Sequence, residues 1–210
     1  MQRLLDKTRT NMDDKRSHIL ALAKERGVIR PSELAALGAS PTYLRHLVLD
    51  GSMRRAGRGL YTLNDFEVTE HHTLVEAVRS QSKSVVCLLS ALSYHELGTQ
   101  LPHQVWLAVP YGTRIAKAKA PAKNIVVLRP ASFEAGVETH LIEGVEVPVY
   151  NVAKTVADCF KFRNKIGLDI AIEAIREALH DRRCTRDEIH RYARINRVEN
   201  VIRPYMEALT

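Results

Sequence analysis

Residues 27–63 read GVIRPSELAALGASPTYLRHLVLDGSMRRAGRGLYTL, and this stretch decides the fold of the N-terminal part of the chain. A proline, which is favourable at the first helical position, opens a short predicted helix that ends before Gly38. The Ser40-Pro41 pair predicts a second helix, with Ser40 as its N-cap, that runs to about Asp50. Two short helices separated by a tight turn are therefore expected here. A first helix, capped by Asp13 or Asp14 and running to about Arg26, is predicted before them.

The second of these helices divides into an apolar and a polar face. Leu44, Leu47 and Val48 share one face at helical spacing, and Tyr43 lies at its flank. An ordinary amphipathic surface helix has the same pattern, but a helix that reads the major groove also needs an apolar back and polar tips. The DNA contacts predicted for this helix and its N-cap are Ser40, Thr42, Tyr43, Arg45 and His46.

A β-hairpin is predicted immediately after this helix. Its strands are 53–55 and 60–63, and two glycines between them permit a tight turn. Arg54, Arg55 and Arg58 lie on the hairpin with no acidic residue among them. Two helices followed by a basic hairpin are the order of a winged helix-turn-helix. We expect the three arginines to grip the DNA backbone or the minor groove.

The positive charge of the chain is concentrated at this end. Residues 1–63 hold 12 Lys and Arg against 6 Asp and Glu, whereas the rest of the chain holds 19 against 18. Nearly all of the formal net charge of +7 therefore lies on the candidate DNA-binding domain. Charge concentrated on one domain fits a polyanion partner, because neutralised phosphates release condensed counterions.

Composition bounds the remaining classes. With 45% hydrophobic residues the chain can bury a core, so disorder is not expected. Its 3 cysteines lie far apart, which argues against a disulfide framework and fits a reducing cytoplasm. No apolar run approaches the roughly 20 residues of a membrane helix, and the polar N-terminal stretch lacks a signal-peptide core. We expect a cytoplasmic protein without a membrane partner.

The C-terminal region alternates predicted helices and short apolar strands. Helices are predicted at 69–79, 84–97, 151–160, 167–179, 186–194 and 198–209, and Thr185 is predicted to cap the helix at 186–194. Strands are predicted at 104–109, 124–128, 139–142 and 145–150. The predicted fold class is α+β, with a winged helix-turn-helix over residues 1–66 and a larger α/β domain of mixed short strands and helices over residues 67–210.

No motif of an enzyme or a metal site stands out. Nucleotide-binding loops, zinc-ligand spacing and a nucleophile elbow do not occur, so neither a cofactor nor a metal is expected. Lys154, Asp158 and Lys161 lie three or four residues apart on a predicted helix. They are either a phosphodiester-processing site, with Asp158 on a metal, or a set of ion pairs. A single carboxylate is a poor Mg²⁺ site, which favours the ion pairs.

A basic segment lies between two of the predicted strands. Residues 111–123 read YGTRIAKAKAPAK and contain no acidic residue. They form either a solvated loop or a surface for nucleic acid or an acidic protein. The candidate functional surface of the C-terminal region is therefore Arg114, Lys117, Lys119, Lys154, Asp158 and Lys161.

Three segments resemble one known family. SELAALGASPTYLRHLVLDGSMRRAGRGLYTL, at 32–63, resembles the winged helix-turn-helix of AbiE-type antitoxins, the AbiEi family. CLLSALSYHELGTQLPHQVWLAVP, at 87–110, and VPVYNVAKTVADCFKFRNKIGLDIAIEAIREAL, at 147–179, resemble the C-terminal part of the same family. The resemblance spans residues 15–180, and the stretch beyond Cys184 does not match.

The resemblance implies a function. Antitoxins of this type IV toxin–antitoxin family repress their own operon by binding promoter repeats through the N-terminal domain, and phage defence is a common setting. Their C-terminal domain counters a nucleotidyltransferase-like toxin, usually without a stable complex. The chain is thus expected to be a DNA-binding antitoxin and autorepressor, not an enzyme. One alternative is a winged-helix regulator whose C-terminal domain senses a ligand or mediates dimerisation. The other is a nucleic-acid-processing enzyme that uses Asp158 and Lys161.

Overall fold

The computed structural model describes residues 2–37, 39–57, 59–64, 69–116 and 121–209, with side chains for all of these except 2–13, 28, 35–37 and 41. The chain divides into two compact units. The first unit is Met1–Glu76 with Leu141–Glu146, and the second unit is Ala77–His140 with Val147–Thr210. The domain boundary expected at residue 66 falls among residues 65–68, which lie outside the described residues, and it stays a prediction.

The first unit contains helices and a small sheet in the order of a winged helix-turn-helix. The elements are α1 (Gln2–Arg26), β1 (Val28–Ile29), a 3₁₀ helix (Pro31–Leu37), α2 (Pro41–Leu49), β2 (Met53–Gly57) and β3 (Leu60–Leu63). The antiparallel sheet has the strand order β1-β3-β2, with Ile29 opposite Tyr61 and Arg54 opposite Thr62.

One apolar core holds these elements together. It draws residues from every element except β3, which packs its half-buried Tyr61 and Leu63 against it. Since each element contributes only one or two side chains, no single helix could form this core alone. The buried members are Ile19, Ala23, Ile29, Leu34, Leu44, Leu47 and Met53.

The tip of a hairpin, Leu141–Glu146, packs against the end of α1 within the first unit. Gly27 follows α1 with a φ of +66°, in the region that favours glycine. A Cβ atom at Gly27 would overlap the carbonyl oxygen of Glu143, and one at Gly144 would overlap the carbonyl oxygen of Glu25. The absence of a side chain at both glycines is what permits this close backbone approach.

Most elements predicted for this unit are present. The short helix, α2 and the β2–β3 hairpin are confirmed. The predicted start of the first helix at Asp13 or Asp14 is wrong, because α1 begins at Gln2. No glycine or proline interrupts residues 2–13, so the helix has no local reason to begin at an aspartate.

The second unit is built around a mixed sheet. Its strands are β4 (Val85–Val86), β5 (Val105–Pro110), β6 (Lys123–Leu128), β7 (Val137–Ile142) and β8 (Val145–Tyr150), in the order β6-β5-β4-β8-β7. β5 runs parallel to β6, β4 runs antiparallel to β5 and β4 runs parallel to β8. The helices of this region are α3 (His72–Ser80), α4 (Leu88–Tyr94), α5 (Pro130–Glu134), α6 (Val152–Lys161), α7 (Arg163–Ile166), α8 (Leu168–His180), α9 (Arg186–Asn196) and α10 (Glu199–Ala208).

Helix α6 lies at the centre of the second unit. Every residue from Val152 to Phe160 is buried. The Asn151 side chain caps the helix by accepting a hydrogen bond from the backbone N–H of Lys154 at 2.9 Å. Because α6 packs against α4, α8 and α9, its polar residues lie in the interior as well.

Local sequence patterns predicted most helices and strands of this unit, and one of the predictions is wrong. Thr185 caps α9, as predicted, and the structure adds a capping box with Glu188. The single helix predicted at 84–97 is wrong, because Val85 and Val86 form β4 and the helix begins only at Leu88. Val86 pairs with strands on both sides, a long-range contact that the apolar spacing did not reveal. The predicted α+β class is confirmed.

Candidate nucleic-acid interface

Helix α2 has the two faces that the sequence predicts. Leu44 and Leu47 are buried against the core of the first unit. Thr42, Arg45 and His46 are exposed. Tyr43 is half-buried at the flank, as its position between the two faces suggests. The exposed face can therefore approach the edges of base pairs while the buried face fixes the helix.

Ser40 occupies the predicted N-cap position but its side chain does not cap the helix. Its backbone is extended, with φ −77° and ψ 152°, and its side chain makes no capping hydrogen bond. The backbone carbonyl of Ser40 accepts from the N–H of Tyr43 at 2.9 Å instead. The exposed Ser40 hydroxyl is thus not used by the helix that follows it.

The β2–β3 hairpin presents its arginines unequally. Arg55 is exposed, and its Nε donates to the carbonyl oxygen of Gly57 at 3.1 Å. Arg54 is half-buried. The register shifts between Arg55 and Gly57, which marks a bulge in β2 just before the turn. Arg58 lies outside the described residues, and its role stays a prediction.

An acidic cluster of the first unit lies close enough to Arg54 to attract it. Burial raises the pKa of Glu76, and the positive charges of His72 and Arg54 oppose this rise. His72 Nδ1 lies 2.6 Å from Glu143 Oε2, and His72 Nε2 lies 3.6 Å from Glu76 Oε1. The half-buried Arg54 is thus attracted to Glu76 within its own unit. Of the two described hairpin arginines, Arg55 is the better placed to bind a phosphate.

The sequence did not indicate that α1 also contributes to this surface. Arg16 Nη1 donates to Asp50 Oδ2 at 2.6 Å, and Arg16 Nη2 donates to Ser52 Oγ at 2.5 Å. The N–H of Ser52 donates to Asp50 Oδ1 at 2.9 Å. Hydrogen bonds from Ser52, aided by Arg16, hold the pKa of Asp50 below its usual value. The contact joins residues 34 positions apart, which no local pattern could reveal.

These groups line one cleft on the exposed side of α2. The cleft has a volume of about 360 Å³ and brings together residues from α1, from α2 and from the two ends of α2. Four of the five DNA contacts predicted for α2 and its N-cap therefore share a surface with Arg16. The lining residues are Arg16, Ser40, Thr42, Tyr43, His46, Leu47 and Asp50.

The second unit does not assemble the expected C-terminal surface. Lys154 and Asp158 are 0% and 1% exposed, so the prediction that they lie on a surface is wrong. Lys154 Nζ lies 2.6 and 2.5 Å from the two Asp158 carboxylate oxygens, which confirms the predicted ion pair. Lys154 Nζ also lies 4.1 Å from the centre of the Tyr150 ring. Both charges are buried because α6 is covered along its length.

Hydrogen bonds extend from this ion pair to a neighbouring helix. Asn196 Nδ2 donates to Asp158 Oδ1 at 2.6 Å, and Ser132 Oγ donates to Asn196 Oδ1 at 2.6 Å. Lys161 Nζ lies 3.5 Å from both Ser132 Oγ and Asn196 Oδ1, and burial lowers the pKa of Lys161. The buried groups form a satisfied interior network with the half-buried Lys161 at its edge, an arrangement that fixes side chains rather than opening a site to substrate.

The basic loop is described only in part. Arg114 is exposed, and its backbone carbonyl accepts from Gln81 Nε2 at 3.2 Å. Lys117 and Lys119 lie outside the described residues, and their expected contacts stay predictions. Among the described residues, no three His, Cys, Asp or Glu side chains are grouped so that they could hold a metal ion. No helix in the described part of the chain has the length and apolarity needed to cross a bilayer.

The geometry of the first unit defines its class. A sheet in the order β1-β3-β2, with an exposed polar face on α2 and a basic hairpin, is a winged helix-turn-helix. Residues 18–64 match the family described as "Transcriptional regulator, AbiEi antitoxin". The resemblance predicted for this region is confirmed over the matched residues. Residues 65–210 lie outside the match.

One solved structure shares the fold over most of the chain. It is the crystal structure of the Rv2827c protein from Mycobacterium tuberculosis, which aligns with a TM-score of 0.58 and 14% sequence identity. The alignment covers 85% of this chain and 71% of that chain. At this identity the similarity concerns the fold alone. No curated protein sequence matches the chain.

Proposed function

We propose that the chain is the antitoxin of a type IV toxin–antitoxin operon and that it represses this operon by binding repeats in its own promoter. The observation that carries the proposal is the exposed polar face of α2, beside a basic hairpin, in a region that matches the AbiEi regulators. The proposed setting is the cytoplasm, with phage defence as the physiological context that the family resemblance suggests.

The proposed DNA contacts follow from the exposed side chains. With α2 in the major groove, Arg45 is suited to donate two hydrogen bonds to a guanine edge. Thr42 and His46 lie on the same exposed face and can reach bases or phosphates. Arg55 and Arg58 would hold the backbone or the minor groove beside the hairpin. Base contacts by α2 set the sequence preference, and the hairpin supplies affinity.

The antitoxin activity is assigned to the second unit. Its proposed target is a nucleotidyltransferase-like toxin encoded beside it, countered without a stable complex. Burial of Lys154 and Asp158 argues against the alternative of a nucleic-acid enzyme, because substrate cannot reach groups that are 0% and 1% exposed. The proposal is therefore a regulator and not a catalyst.

The DNA-binding half is tested by titrating the full chain against its own promoter duplex at several salt concentrations. Each substitution that removes an arginine bound to a phosphate should make the slope of log K against log salt shallower by about 0.9. We expect this change in Arg55→Ala and none in Arg176→Ala, a matched removal of one exposed arginine on α8. Equal slopes in wild type and Arg55→Ala would remove the hairpin from the mechanism.

The antitoxin half is tested by co-expression with the product of the adjacent gene. We expect this gene to be a downstream, overlapping reading frame of the nucleotidyltransferase type. Its product should arrest growth when it is expressed alone and should not do so when the antitoxin is co-expressed. The double variant Arg45→Ala with Arg55→Ala should lose repression of a promoter reporter yet still rescue growth. Failure of wild type to rescue would favour the regulator with a sensing or dimerisation domain. Turnover of nucleic acid by wild type with Mg²⁺, abolished in Asp158→Asn, would favour the enzyme.

A further inference from the structure

The geometry points to Arg16 on α1 as an additional contact for DNA: we propose that the cleft between α1 and α2 binds one phosphate group of the DNA backbone through the Arg16 guanidinium. The inference rests on the proposed DNA binding. It adds a residue outside the helices and hairpin that the sequence motif indicated, and it assigns the cleft a ligand.

Arg16 is held in place but remains accessible. Its guanidinium bonds Asp50 and Ser52, just beyond the end of α2, while its side chain stays 42% exposed. A guanidinium carries five N–H groups in a rigid fork. The two bonds to described residues leave three N–H groups for another acceptor. A fork fixed in this way loses little side-chain freedom when it meets a phosphate, so the contact would be a favourable one.

The charges in the cleft select an anion. Asp50 is the acidic residue among its lining residues, and hydrogen bonds from Ser52 and Arg16 keep its carboxylate ionised and paired. The rest of the polar lining includes hydroxyl groups at Ser40 and Thr42 and the imidazole of His46, all of which can donate to an oxygen. A paired carboxylate surrounded by donors leaves the cleft suited to the oxygens of a phosphate.

The position of the cleft beside α2 indicates that the phosphate belongs to the DNA backbone. The exposed residues Thr42 and His46 line the cleft and belong to the same face of α2 as Arg45, which would enter the major groove. Arginine side chains beside a reading helix commonly donate to phosphate oxygens, and such contacts fix the register of the protein on the duplex. An acceptor beside α2 at this level would therefore be a phosphate at the edge of the groove.

In this arrangement Asp50 is a positioning residue for Arg16. In the free protein it positions Arg16, and Arg16 in turn offsets the charge of the Asp50 carboxylate, which is 38% exposed. Removing Arg16 should do two things: delete one phosphate contact and leave an unpaired carboxylate in the interface. Removing the Asp50 charge alone should leave the phosphate contact in place. The two residues are therefore separable by mutation.

The test measures promoter binding by the full chain between 50 and 200 mM salt. Removing one phosphate contact makes the slope of log K against log salt shallower by about 0.9. Across this salt range, the fold-decrease in affinity should therefore be about 3.5 times larger for wild type than for Arg16→Ala. Arg16→Gln keeps hydrogen-bonding groups and much of the side-chain length, so it replaces Arg16→Ala if that variant is poorly folded. It should show the same change in slope. Arg176→Ala serves as the matched control and should keep the wild-type slope.

Double substitution separates a contact from a structural role. Asp50→Asn should keep the wild-type slope, and Arg16→Ala with Asp50→Asn should regain part of the affinity that Arg16→Ala removes while its slope stays shallow. A weaker affinity with an unchanged slope in both Arg16 variants would overturn the inference. If wild type does not bind the promoter at all, the proposed function fails first. If Arg55→Ala flattens the slope and the Arg16 variants do not, only this inference fails.

Discussion

Replacing Lys154 with alanine should destabilise the second unit more than any surface substitution. The variant leaves the Asp158 carboxylate buried without its cation, since both side chains are at most 1% exposed. Breaking a buried pair by removing one partner costs about 3–5 kcal/mol. The Asn196 amide still donates to Asp158 at 2.6 Å, so we expect a destabilisation near the lower limit, about 3 kcal/mol.

Unfolding experiments measure this destabilisation directly. For a chain of this size 1 kcal/mol corresponds to roughly 2–4 °C, so Lys154→Ala should lower the Tm by about 6–12 °C. Urea unfolding followed by circular dichroism gives the free energy of unfolding. Arg176→Ala, an exposed arginine on α8, is the control and should change it by less than about 0.5 kcal/mol.

A second variant tests the cause of the destabilisation. Lys154→Met combined with Asp158→Leu removes both charges and keeps apolar volume, so it should recover most of the stability that Lys154→Ala removes. A cost below about 1 kcal/mol for Lys154→Ala would refute the reasoning, because an uncompensated interior charge cannot be that cheap. Equal destabilisation in the single and double variants would show that packing, and not charge, is responsible.

Three further predictions concern other parts of the chain. Gly27→Ala should destabilise the first unit by at least about 2 kcal/mol in thermal unfolding, because a Cβ atom there meets a backbone carbonyl. The control is Gly51→Ala, where φ is also positive but the space around the Cβ atom is open; it should cost only about 1 kcal/mol. Thr185→Ala should cost about 1 kcal/mol at neutral pH. The capping hydrogen bonds lower the pKa of Glu188, so their contribution to stability is present above the ordinary pKa of Glu188 and is lost as pH falls through the lowered value. The difference in urea midpoint between wild type and Thr185→Ala should therefore shrink in acid. Burial raises the pKa of Cys184 to about 11, so mass spectrometry should find its alkylation at pH 8 about 100-fold slower than that of a free cysteine.

Local sequence patterns were sufficient to predict α2 and the hairpin. The spacing of Leu44, Leu47 and Val48 defines the buried side of α2, and glycines define the turn between β2 and β3. Patterns of this kind depend on residues within one or two turns of each other, where sequence and geometry are directly linked. The same holds for the Thr185 cap of α9.

Long-range contacts account for what the sequence did not reveal. The strand at Val85–Val86 exists because neighbouring strands pair with it on both sides, and the apolar run alone fits a helix equally well. The pairing of Lys154 with Asp158 follows from their i,i+4 spacing, but their burial follows from helices that arrive much later in the chain. Arg16 reaches Asp50 across 34 residues, so only the folded chain brings it to the candidate interface.

The most direct test of the central claim is the affinity of the full chain for its own promoter duplex and for a scrambled duplex of equal length. Specific binding should exceed binding to the scrambled duplex by a factor of about 10³ or more at physiological salt. Arg45→Ala should reduce this discrimination by about 1–3 kcal/mol, with a smaller effect on the scrambled duplex. Equal affinity for both duplexes, or discrimination unchanged in Arg45→Ala, would contradict the assignment of α2 as the helix that reads the operator.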